Sequence, residues 1–315
     1  MTNGVNSISS SGHKLGQIIG DWYEEYFAYP LLESVAKELG LFLDTRFKQR
    51  AAIRQGKILW EDYEGNTVDY DFVLELIEHG QDPQKKKGEP IGFFETFWRR
   101  GARHSKDKAR DDSGKLIPMR STYPTARVLG IIAAGDFTDP AREFVKSRNI
   151  ELFYVPKDKI LSAWRVNGIE IDYPDSLPEQ DKLAIAMKAE AGIDSDKQLK
   201  TKIADSLRKS VGLAQLRSYK NTLMARMGAT PQEYRIFARG TSLPFVHHSH
   251  EEVERFLSAP QPNVTFESIS YVLEVVFGDG DCYFADDLSW EDLKENFHKL
   301  SKLIAHMEKI AQAKE

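Results

Sequence analysis

Between Gly92 and Trp98 the chain reads Gly-Phe-Phe-Glu-Thr-Phe-Trp, an apolar run with one carboxylate, Glu95, at its centre. Apolar residues on both faces mark a strand covered on both sides, and a carboxylate buried there without a partner is strongly unfavourable. Glu95 therefore needs a metal ion, a cation or a hydrogen-bond donor. A second acid, Asp71, opens the apolar stretch Phe72-Val73-Leu74. Adjacent strands lie ~5 Å apart, so acids on neighbouring strands can share one divalent ion. Oxygen ligands of this kind suit Mg²⁺, with Mn²⁺ as the alternative. Asp69 shares a face with Asp71 and competes for the same role.

The periodicity predicts a helical stretch from His13 to Leu39, interrupted or restarted at Pro30 and stopped at Gly40. Lys57–Trp60 and Thr67–Ile77 read as two strands joined through the turn-rich Tyr63-Glu64-Gly65-Asn66. Strands follow at Ile91–Trp98, Arg127–Ala134 and Ile150–Val155, with a basic, helical or irregular stretch from Arg99 to Lys108 and helices at Pro140–Ser147 and Lys157–Trp164. Such an order fits a right-handed βαβ arrangement. Tyr173–Glu179 reads as a domain border. Beyond it, Gln180–Met227 is helical, Thr265–Phe277 and Asp281–Ala285 form a hairpin around Gly278-Asp279-Gly280, and Trp290–Gln312 is a closing helix capped by Ser289.

The expected organisation is thus a tail over residues 1–12, an α/β domain over 13–170 with a mixed sheet flanked by helices, and a second, mostly helical domain over 171–315. A 315-residue chain is long for a single core. The single cysteine, Cys282, excludes an intrachain disulfide and fits a reducing cytoplasm. No apolar stretch reaches membrane-spanning length and no signal peptide is read at the N-terminus, so a cytoplasmic protein without membrane contact is expected.

The net charge is −5, but its distribution is uneven. Trp98–Arg127 carries nine Lys/Arg and three acids, Lys197–Arg239 ten and two, and Glu251–Glu315 fourteen acids and six Lys/Arg. Two basic blocks and an acidic tail leave room for a basic face toward nucleic acid. Arg100 and Arg103 in the first block, and Arg208, Lys209, Arg217 and Lys220 in the second, are the candidate DNA contacts.

The segment Val68-Asp69-Tyr70-Asp71-Phe72-Val73, followed by Glu95 on the next strand, resembles the PD-(D/E)XK core of restriction endonucleases and their relatives. Leu129-Gly130-Ile131-Ile132-Ala133-Ala134-Gly135-Asp136-Phe137-Thr138-Asp139-Pro140-Ala141-Arg142-Glu143 resembles the Mrr-type subgroup: a strand ending in a small-residue turn, then Phe-Thr, then a helix with Ala and Arg. Ile150–Tyr154 resembles its last core strand. The resemblance spans Gly56–Trp164. It implies a restriction-endonuclease-like fold and Mg²⁺-dependent hydrolysis of duplex DNA, with Asp71 and Glu95 as metal ligands and catalytic residues. It further implies a type II restriction enzyme acting as a homodimer, with residues 171–315 serving DNA recognition or dimerisation. The family places a lysine two residues after the acid, where this chain has Phe97. Arg99, Lys106 and Lys108 are the candidates to replace that cation. Some relatives add a first-helix glutamate, which nominates Glu24 or Glu25.

Two other classes compete: a repair or junction-processing nuclease on the same core, and a non-catalytic DNA-binding protein, which Phe97 keeps open. For Asp71 and Glu95 the plain alternative is an ion pair with Arg99 or Arg127. His247, His248 and His250 lack matching ligands for a metal, and Asp279 and Asp281 read as an ordinary hairpin turn. There is no Gly-x-x-x-x-Gly-Lys loop to suggest a fused nucleotide-driven motor.

Overall fold

The computed structural model describes residues 11–239, 243–259 and 270–313. Of the tail expected over residues 1–12, residues 1–10 fall outside the described residues, as does the start of the strand expected at Thr265, whereas Ser11 and Gly12 are helical rather than part of a tail.

The chain enters through α1 (Ser11–Tyr23), a π-helical turn (Glu24–Ala28) and α2 (Tyr29–Glu38). Pro30 explains the wide turn. It has no N–H and its ring would collide with the carbonyl four residues back, on Tyr26. The freed Tyr26 carbonyl accepts a hydrogen bond from Arg208 Nη2 instead.

Three short strands follow, β1 (Phe42–Thr45), β2 (Ile58–Glu61) and β3 (Thr67–Tyr70), then β4 (Phe72–Leu76) and the long β5 (Glu89–Arg99). Next come α3 (Ser105–Thr122), β6 (Val128–Gly135), α4 (Asp139–Ser147), β7 (Glu151–Pro156) and α5 (Lys157–Arg165). The central sheet is mixed, in the order β1-β4-β5-β6-β7. β4 runs antiparallel to β1 and β5, whereas β5, β6 and β7 are parallel. The single strand expected over Thr67–Ile77 is two. The chain breaks at Asp71, and β3 leaves the main sheet to pair only with β2.

Helices cover both faces. One face packs against α1, α2 and α5 together with α6 (Glu179–Ser195), α7 (Lys197–Val211) and α8 (Leu213–Met227). The other packs against α3, α4 and the β2–β3 ribbon. The first core is continuous from Leu15 through Ile171 to Met227 and so runs across residue 170.

The C-terminal region is helical and carries a second sheet. β8 (Pro231–Ala238), β9 (Phe245–His247), β10 (Tyr271–Phe277) and β11 (Cys282–Leu288) lie in the order β11-β10-β8-β9, with α9 (His250–Ser258) and α10 (Trp290–Gln312) on their own core. Ser289 caps α10 in a reciprocal capping box with Asp292. The β10–β11 turn docks on the first unit. Arg127, 2 % exposed, holds Asp281 at 3.1 Å and Asp279 at 3.0 Å. Among the described residues no helix is long and apolar enough to cross a membrane.

Candidate active site

The sheet ladder decides where the two acids meet. β4 and β5 pair as Phe72↔Phe94, and one step further Asp71 stands opposite Glu95. There the ladder ends, and the Asp71 side chain replaces it. Its Oδ2 accepts from the Thr96 backbone N–H at 2.7 Å and the Thr96 hydroxyl at 2.9 Å. These bonds hold Asp71 between the two faces of the sheet.

Glu95 points to the α3 side and is 3 % exposed. Its partner is Lys115, whose Nζ lies 3.3 Å from both carboxylate oxygens. Lys115 sits on α3 in a face that also presents Lys108 and Asp112, seven and three residues before it. Lys108 Nζ donates to Asp112 Oδ1 at 2.5 Å, while the buried Asp112 Oδ2 has no partner. Tyr70, the residue before Asp71, donates its hydroxyl to the Lys115 carbonyl at 2.7 Å. The helix turn that carries the lysine is thereby tied to the strand end that carries the aspartate.

A third carboxylate arrives from the opposite face. Glu24, the first residue of the π turn, is 8 % exposed, with Arg46 Nε 2.9 Å from its Oε1. That oxygen makes no aligned hydrogen bond, and Arg46 is shared with Asp21. π turns are frequent at functional sites because the widened backbone re-aims a side chain.

The electrostatics follow from burial. Burial, then Asp71, pushes the Glu24 carboxyl up to about 8 against the pull of Arg46. Burial, then Asp71 and Asp112, likewise pushes Glu95 up to about 8 against Lys115 and Lys108. Asp112 is raised, chiefly by burial. Partial burial pulls Lys115 down, but Glu95 and Asp112 more than offset it and hold the ammonium above its ordinary value. The site is therefore rich in carboxylate and short of cation.

No protein-family model, curated protein or solved structure matches this chain. The site is accordingly read from its own chemistry.

Among the described residues no three His, Cys, Asp or Glu side chains are set to hold a metal ion by themselves. Mg²⁺, however, ordinarily takes one or two carboxylates and completes its shell with water and substrate phosphate oxygens. Asp71 and Glu95 provide that donor set. Both Glu24 and Glu95 are pushed to about 8, chiefly by burial and then by Asp71, and a bound cation would ease that crowding.

The other nominated residues are spread more widely. Phe97 is buried edge-on against Phe137, with Lys108 Nζ 5.8 Å from the centre of its ring. Arg99 stands exposed at the end of β5, and Lys106 and Arg103 are exposed. Arg100 pairs with Asp172. Arg208 pairs with Asp205 and caps Tyr26, and Lys220 pairs with Glu38. Lys209 and Arg217 are exposed. Asp69 accepts from the Ile58 backbone at 2.8 Å, which occupies it in the β2–β3 ribbon. Arg127 serves the β10–β11 turn rather than Asp71 or Glu95. His250 bonds Tyr234 and Ser301 in the C-terminal core. Lys115 was not singled out in the sequence. Its signal is weak, being its place two helical turns after Lys108.

Proposed function

We propose that this end of β4 and β5 hydrolyses phosphodiester bonds in duplex DNA with Mg²⁺, and that the protein is a sequence-specific endonuclease of the restriction type acting as a homodimer. One observation carries the reading: Asp71, at the ladder end opposite Glu95, is close enough to both Glu95 and Glu24 to raise their carboxyls, and Lys115 pairs with Glu95 from α3.

Asp71 and Glu95 would hold the ion, with Glu24 at its margin. Mg²⁺ bound there supplies a water of lowered pKa and neutralises charge on the phosphate. Thr96 fixes the Asp71 carboxylate through its backbone and hydroxyl, so the ligand is oriented in advance. Lys115 compensates Glu95 and offers its ammonium to the scissile phosphate as an electrostatic group. Because its pKa is held up, Lys115 stabilises charge and does not serve as a base. This supplies the cation that Phe97 lacks and favours a catalytic protein over a decayed one.

Incubation of the full chain with phage DNA and Mg²⁺, followed by electrophoresis, tests the proposal. Discrete fragments are expected from the wild type, and none from Asp71→Asn or Glu95→Gln. Cutting confined to synthetic junctions would make it a repair enzyme. No cleavage of any DNA would reject hydrolysis.

A further inference from the structure

Asp112 is the acid of the site that the proposed reaction leaves unused. It is 0 % exposed, on the buried face of α3. Its Oδ1 holds Lys108 at 2.5 Å, and its Oδ2 is buried without a partner. Native interiors satisfy the great majority of such oxygens, so one left over beside a charged site calls for an account. Metal ligation does not give it, because Asp71, Glu95 and Asp112 do not together make a set able to hold an ion.

Lys115 supplies the second observation. It follows Asp112 by three residues, and residues so spaced are neighbours on a helix surface. Its hold on Glu95 is loose: both contacts are 3.3 Å, against ~2.7–2.9 Å for a tight charge-assisted bond. At 40 % exposure the side chain has room to turn. Partial burial lowers its ammonium, and Glu95, Asp112 and Asp71 more than offset that. With Mg²⁺ on Asp71 and Glu95, two of those three acids are taken, and the ammonium is repelled from Glu95. Asp112 is the one that remains.

We infer that Asp112 is a positioning residue, the second seat of the Lys115 side chain, which leaves Glu95 for the spare Asp112 oxygen when a cation takes Glu95. The inference rests on the reading of Asp71 and Glu95 as magnesium ligands. An ammonium carries three N–H donors. One given to Asp112 leaves two for the scissile phosphate, so the lysine stays beside the reacting group instead of swinging out to solvent. Lys108 keeps the other Asp112 oxygen, which fixes the carboxylate in place.

Calorimetric titration of the full chain with magnesium chloride, without DNA, tests this apart from cleavage. Asp112→Asn should bind Mg²⁺ about tenfold more weakly than wild type, the lower end of what losing a supporting side chain around a metal site costs. In a Lys115→Met chain the same change should have little effect, because no lysine is left to be seated. Lys108 loses its carboxylate partner in both backgrounds, so that contribution cancels in the cycle. Asp112→Glu, which keeps the charge, should recover part of the affinity. Equal losses with and without Lys115 would make Asp112 a direct contributor to the ion and overturn the inference. Urea unfolding without metal gives an independent readout. With Glu95→Gln in place, the coupling between Lys115→Met and Asp112→Asn should be larger than in the wild-type chain, and coupling no larger there would equally sink the idea. Mg²⁺ binding with neither effect removes the second seat and leaves the hydrolase reading standing. Coupling in a chain that binds no Mg²⁺ keeps the seat and removes the hydrolase reading.

Discussion

β4 is bracketed by two buried acid clusters that are built in opposite ways. Near its end, Glu75 and its neighbour Asp44 on β1 are both 0 % exposed. Arg50 bonds Asp44 at 2.7 Å and Glu75 at 2.6 Å, Arg54 adds a second bond to Asp44, and the Gly88 N–H donates to Glu75. Two carboxylates meet two guanidinium groups, and nothing is left over. Before its start, Asp71 stands among Glu24, Glu95 and Asp112, against Lys108, Lys115 and an Arg46 already shared with Asp21. Asp112 Oδ2 is orphaned, and two carboxyls are pushed to about 8. The first cluster is closed and structural. The second leaves the Asp112 Oδ2 and Glu24 Oε1 oxygens without partners, and it is the one on which the proposed function rests.

The largest effect should come from opening the closed cluster. Arg50→Ala would leave the fully buried Glu75 without a cation and Asp44 with Arg54 alone, and breaking a buried pair from one side costs ~3–5 kcal/mol. Urea denaturation should show that loss, with cleavage per folded molecule unchanged. A loss no greater than that of an ordinary surface substitution would erase the distinction between the two clusters.

The open cluster should respond in the reverse sense. Lys115 is 40 % exposed, so Lys115→Met should melt close to wild type. Cleavage should nevertheless fall ~10²–10³-fold, as for a single electrostatic donor at a developing charge. Lys115→Arg should recover part of the rate. Single-turnover cleavage at saturating enzyme measures this. A wild-type rate for Lys115→Met would reassign the cation to Lys108, which shares the helix face.

These clusters also show what a sequence displays. Asp71 and Glu95 are visible because an acid within an apolar strand is conspicuous. The mixed sheet is visible because β6 is apolar throughout and β5 is apolar on both sides of Glu95-Thr96. Lys115 is hidden because α3 lacks an apolar stripe. The buried face of that helix is Ser105, Ala109, Asp112, Ser113, Leu116 and Met119, and Gly114 and Pro118 lie inside it. A helix recognised by apolar periodicity therefore ends too early, near Lys108. β1 is hidden because it is four residues long and has an acid, Asp44, within it. Its stability comes from Arg50, a tertiary partner that no local pattern announces. Glu24 falls between the two cases. The helix around it is legible, but its burial depends on the π turn, and that turn depends on Pro30 four residues after Tyr26.

The smallest predicted effect separates the clusters by pH. Glu95 is raised from an ordinary value near 4.5 to about 8. Between those values the folded protein holds a proton that the unfolded chain has released, so stability falls as pH rises through this window. From pH 6 to 7.5 one such group contributes up to ~2 kcal/mol, at 1.36 kcal/mol per unit. Glu24, also raised to about 8, adds a similar slope. Glu95→Gln should therefore lie closer to wild type in stability at pH 6 and exceed it at pH 7.5, and the slope that remains should come from Glu24 and from the other buried acids that are raised, Asp112 and Glu75. Mg²⁺ should act against the same slope, because ligands must be deprotonated to bind it. Its stabilisation of the wild type should be greater at pH 8 than at pH 6, and should be largely lost in Glu95→Gln. Arg54→Gln, which touches only the closed cluster, should keep the full magnesium response. Thermal melts at the three pH values, with and without Mg²⁺, decide the matter. A magnesium effect independent of pH, or one retained in Glu95→Gln, would mean that the ion does not sit on these carboxylates and that their crowding serves another purpose.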